Sequence, residues 1–128
     1  MLSTKSLLAA VAFLAFAAAP ATAQELIESY QARLSSSDHF NSSGERLTAP
    51  AAIIRQDRAN FHKFGIRDPE DEGDRYFANQ GNRAYMERLL ERGHTSREAR
   101  RAIVNGTPMI RVELYRDGGG EYVEVSVW

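Results

Sequence analysis

The sequence predicts an α+β domain, with three or four short helices packed on one face of a C-terminal β-hairpin. Two observations carry that expectation. Between residues 48 and 105, apolar residues recur at helical spacing, in runs closed by Gly65, Gly93 and Gly106. From Ile110 onward the period changes to two, on both sides of Asp117-Gly118-Gly119-Gly120.

The chain opens with Lys5, an apolar run from Leu7 to Ala19, Pro20, and Ala21-Thr22-Ala23. A charged start, a short apolar core and an A-x-A site predict a cleavable bacterial-type signal peptide over residues 1–23. The run falls short of the ~20 apolar residues that a spanning helix needs. With no cysteine in the chain there is nothing to carry a lipid anchor. The expected product is one small domain, residues 24–128, periplasmic or secreted.

Within it, Glu25–Leu34 places Leu26, Ile27, Tyr30 and Leu34 on one helical face, so a first helix is expected there. A polar loop follows, from Ser35 to Gly44. The second helix has Thr48 as its expected cap, Pro50 in its first turn and Gly65 as its stop. Its stripe is Ile53, Ile54, Phe61 and Phe64, with His62 and Arg58 on the solvated side. A third helix is expected over Asn79–Arg92, with Arg83 outside. A fourth follows the capping box Thr95-Ser96-Arg97-Glu98 and turns Ala99, Ala102 and Ile103 inward.

In the hairpin, parity sets the register. Both apolar sets share a face only if Val112 meets Val125, Leu114 meets Val123 and Ile110 meets Val127. Tyr115 then meets Tyr122 outside. Glu113 meets Glu124, with Arg111 diagonal to relieve the repulsion. Alternation toward a membrane is ruled out: Trp128 shares parity with Ser126 and Glu124, and one hairpin cannot close a barrel.

Composition narrows the function. The 17 acidic residues face 16 basic ones, and their signs are interspersed, which leaves no nucleic-acid footprint. The lack of cysteine leaves packing to stabilise the domain even in an oxidising compartment. The three His residues are scattered without an H-x-x-x-H pair, which argues against zinc. No G-x-S-x-G turn presents a nucleophile.

Asp57 breaks the folding pattern, since it falls at the centre of the second helix's apolar stripe. A carboxylate there needs a partner. The Asp38–Arg46 stretch is the expected source, with Arg46 or another arginine as the charged partner. Together with Asp38, His39 and Asn41 of the polar loop, Asp57 makes a candidate binding site. The acidic segment supplies a second candidate. Asp68, Glu70, Glu72 and Asp74 follow the 1, 3, 5, 7 spacing of a calcium loop, and Gly73 takes the sixth place. Asn79 stands at the twelfth, where such a loop has a bidentate Glu.

The middle third of the domain resembles short exported bacterial proteins of unknown function. The residues that carry the resemblance are Asp38-His39-Phe40-Asn41-Ser42, Leu47-Thr48 leading to Ile54-Arg55-Gln56-Asp57-Arg58-Ala59-Asn60-Phe61-His62, and Asp68-Pro69-Glu70-Asp71. The resemblance implies no activity. The functional expectation is a small non-catalytic periplasmic binding or interaction module, whose partner is an envelope protein or a small ligand. The alternative is a calcium-stabilised module using residues 68–74. A third reading is a small periplasmic enzyme working through Asp57 and His39.

Overall fold

The computed structural model describes residues 23–128. The signal-peptide reading of residues 1–23 lies, apart from Ala23, outside them. Over the described residues the fold is α+β, with three α-helices and a three-stranded antiparallel sheet: β1 (Glu25–Arg33), α1 (Pro50–Ala59), α2 (Gln80–Arg92), α3 (Arg97–Asn105), β2 (Met109–Asp117) and β3 (Gly120–Val127). Strand order is β1-β2-β3, so the hairpin is two thirds of a larger sheet.

The first segment is a strand, which overturns the expected helix. Tyr30, Ala32 and Leu34 alternate along it and are fully buried. Tyr30 pairs with Val112, and Ala32 with Ile110. A register shift between Leu26 and Glu28 interrupts the alternation upstream and leaves Leu26 half exposed. That bulge is why the apolar residues mimic a helical spacing.

α1 starts at Pro50, with Ala49 as a cap that makes no side-chain bond, so Thr48 does not cap it. Its last turn continues as a π-helical turn, Asn60–Phe64, which ends at Gly65 in the left-handed conformation (φ 66°). The wider turn shifts the helical frame. Asn60 and Phe61 stay inward, while Phe64, expected on the stripe, is 46% exposed. Asn79 caps α2 by accepting from the Asn82 N–H. Arg83, expected outside, is buried and donates to the carbonyls of Phe77 and Ala78. Ser96, one residue beyond the expected Thr95, caps α3 by accepting from Ala99 N–H.

The hairpin register is the one parity requires, with Val112 opposite Val125, Leu114 opposite Val123, and Gly118-Gly119 at the turn. Glu113 does face Glu124. Its relief comes from the Tyr115 hydroxyl, which donates to Glu113, while Arg111 turns to the Gln31 side-chain oxygen. One apolar cluster joins Tyr30, Ile110, Val112 and Leu114 of the sheet to Ile53, Ile54, Met86, Leu89 and Ile103 of the helices. Among the described residues no helix is long and apolar enough to cross a membrane.

Candidate functional site

Asp57 is buried, as its place on α1 requires. Its partner is not from the 38–46 stretch. The Arg58 Nε, on the next residue, donates to Asp57 Oδ2 at 2.9 Å. Successive helical side chains normally diverge, which is why the sequence pattern put Arg58 on the solvated side. Here the long arginine folds inward and is wholly buried. Its Nη1 donates to Asp74 Oδ1 and to the Glu72 carbonyl, both at 2.9 Å. Its guanidinium lies 3.9 Å from the Tyr30 ring centroid and 4.5 Å from that of Phe61. Arginine suits this place, since a planar, weakly hydrated cation stacks on aromatic faces and forks between carboxylates.

Asp74 completes the cluster. It is buried and accepts from Arg58, from His62 Nε2 at 2.8 Å and from the Phe77 N–H. His62, expected in solvent, is thereby mostly buried. One guanidinium thus serves two buried carboxylates. Burial pushes the Asp57 carboxyl up to about 8; Arg58 opposes that, and Asp38 and Asp71 add to it. Arg46 works elsewhere, donating to the carbonyls of Leu47 and Val104.

The polar loop is organised by its own backbone. Asp38 is buried and accepts from the Ser35 N–H at 3.0 Å and from Asn60 Nδ2 at 2.8 Å. Burial raises its carboxyl above the ordinary value, against the bonds from Asn60 and Ser35. His39 is buried between two carbonyls, with Nδ1 2.8 Å from Ser35 O and Nε2 2.7 Å from Ile103 O. It ties the loop to the last turn of α3. Asn41 Oδ1 accepts from the N–H groups of Ser43 and Glu45, which closes the turn. Among the described residues, neither Asp57 nor His39 has a hydroxyl nucleophile as a hydrogen-bond partner.

The acidic segment seals the outer edge of β1. The Glu72 N–H donates to the Gln31 carbonyl, and Glu72 Oε1 accepts from the Gln31 N–H at 2.8 Å. Asp71 Oδ1 accepts from the Arg33 N–H, and Asp71 Oδ2 from the Asp68 N–H. Glu70 pairs with Arg33 at 3.2 Å. Of the four calcium candidates, Glu70, Glu72 and Asp74 thus turn to separate partners. Among the described residues, no group of three acidic, His or Cys side chains is gathered as a metal site.

A cavity of about 320 Å³ opens between α3, the end of α2 and the inner face of β3. Ile54, Leu90, Ile103, Val123, Val125 and Val127 make its walls, and His94, Thr95 and Ser96 its mouth. The cause is local. α3 turns Ala99 toward the valines, and an alanine is too short to fill the gap. Ala99 and Ile103, two of the residues expected on the inner face of α3, line the cavity, and the small side chain of Ala99 was the available signal. No protein-family model, curated protein or solved structure matches the chain.

Proposed function

We propose that this is a small exported binding module without catalytic activity, and that it seats a compact apolar group between α3 and β3. The observation that carries the reading is a division of labour. Asp38, His39, Asn41 and Asp57 spend their polar atoms on the protein itself, whereas a cavity walled by aliphatic side chains and lined as well by His94, Thr95 and Ser96 stands open. Its volume of about 320 Å³ lies at the small end of ligand sites. That size suits a short alkyl chain or a single ring carrying one polar head, and His94, Thr95 and Ser96 are the groups that would meet the head. The signal-like start of the chain and the resemblance to short exported proteins support an extracytoplasmic setting.

Hexanoate and indole serve as probes. Titration followed by two-dimensional amide NMR should move the signals of Ala99, Val123 and Val125 at millimolar probe or below. Ala99→Phe fills the space, so it should abolish those shifts and raise the denaturation midpoint. Silence of these amides to both probes, or shifts that persist in Ala99→Phe, would refute the reading.

A further inference from the structure

The two edges of the sheet are treated differently. The outer edge of β1 is sealed by Asp71 and Glu72, which take the outward N–H groups of Gln31 and Arg33. On β3 the pairing with β2 consumes one set of groups. Met109 and Trp128 exchange both of their N–H···O bonds, at 2.9 and 3.0 Å. In an antiparallel pair bonded residues alternate, so Ser126 and Glu124 also bond inward, to Arg111 and Glu113. The N–H and C=O groups of Val123, Val125 and Val127 therefore point away from the sheet. No described loop or side chain meets them. An eight-residue strand with a free edge is a template for another strand.

We propose that two copies of this chain join by antiparallel pairing of their β3 strands about a two-fold axis at Val125, making one six-stranded sheet. The sequence of the strand is self-complementary in that register. Val125 meets its own copy, and Val123 meets the other copy's Val127, so the outward groups of all three valines are paired. On the outer face Glu124 meets Ser126 of the second copy, and no like charges stand opposite each other. Tyr122 meets Trp128 of the second copy. Tyr122 already stacks on Tyr115, with centroids 5.5 Å apart, and Trp128 is 59% exposed, so the new contact extends an aromatic row across the axis. Other centres do worse. An axis at Glu124 sets that carboxylate against itself, an axis at Val123 sets Trp128 against Gly118, and an axis at Ser126 shortens the overlap. A two-fold contact also closes on itself, leaving two sealed β1 edges at the ends of the new sheet.

Ser126 tests the register, because it is exposed and each substitution there counts twice. Ser126→Glu sets two like-charge pairs against Glu124 across the axis. Within its own chain the new carboxylate faces Arg111, which favours the fold. Ser126→Lys does the reverse. Sedimentation velocity over a concentration series should show the purified wild-type chain moving toward twice the monomer mass. Relative to it, Ser126→Glu should weaken the dimer by about tenfold and Ser126→Lys should tighten it by about tenfold. Hydrogen exchange at Val123, Val125 and Val127 should slow with concentration in the same order. A wild-type chain that stays monomeric throughout overturns the proposal. So does a dimer indifferent to both substitutions, which places the contact elsewhere. Loss of the hexanoate site in Ala99→Phe leaves the sedimentation result unaffected, so the two readings fail separately.

Discussion

At the scale of single residues, the cluster around Arg58 decides how the protein responds to pH. Two buried carboxylates, Asp57 and Asp74, share one guanidinium. A proton on Asp57 leaves Arg58 and Asp74 as a neutral pair. Burial accordingly raises the Asp57 carboxyl to about 8. The unfolded chain holds that proton only below about pH 4. Between the two values unfolding releases a proton, so this group's contribution to stability falls as pH rises. It is complete below the unfolded value and is lost as pH climbs through the folded one. Asp38, also raised, acts in the same direction. Asp57→Asn keeps the shape and the acceptor for Arg58 Nε but cannot ionise. Urea midpoints measured from about pH 5 to about pH 9 should therefore show the variant gaining on the wild type as pH rises. Parallel curves, or a wild type that gains, would mean that Asp57 is ionised in the folded protein at neutral pH.

At the scale of elements, the acidic connector is a clamp on β1. Its carboxylates face N–H groups of the strand, of its own turn and of the Tyr76–Ala78 turn, together with Arg33, Arg58 and His62. A calcium ion would have to detach them. Adding millimolar calcium should therefore leave the melting temperature unchanged. A rise of several degrees would show mass-action binding and return the segment to the calcium-loop reading. The C-terminal ends of the helices and the hairpin were legible in advance, because Gly65, Gly93 and the alternating valines are local signals, whereas the expected caps Thr48 and Thr95 gave way to Ala49 and Ser96. Two elements were not. β1 hid behind a bulge that spoiled its alternation near Ile27. The π turn after Ala59 moved Phe64 outward, and no propensity marks such a turn. The candidate site was legible only in part. Asp57 stood out as buried, but its partner did not, because a pattern of faces cannot show a long arginine folding back beneath Tyr30.

At the scale of the whole molecule, the sheet is closed on one side and open on the other, and the cavity and the free edge both belong to β3. The central strand β2 is covered fully, with Ile110, Val112 and Leu114 at most 1% exposed. β3 lies beside it in register, yet its valines are only half buried because α3 offers them Ala99. Val112 and Val125 make the sharpest comparison, since they are direct cross-strand partners on the same face. Val112→Ala deletes two methyl groups from a closed interior and should cost roughly 2–3 kcal/mol, transfer and cavity terms together. Val125→Ala deletes the same atoms from the wall of a cavity that already exists. Val125 packs against the core but is only partly buried, so those atoms lose fewer partners than in Val112 and the cost should stay below about 1 kcal/mol in dilute, monomeric protein. Paired urea denaturations measure both. Equal losses would mean that α3 closes onto β3 in solution, which would remove the cavity and with it the proposed ligand site. The expected gap of more than about 1 kcal/mol between chemically identical deletions would show that the opening is a property of the fold in solution.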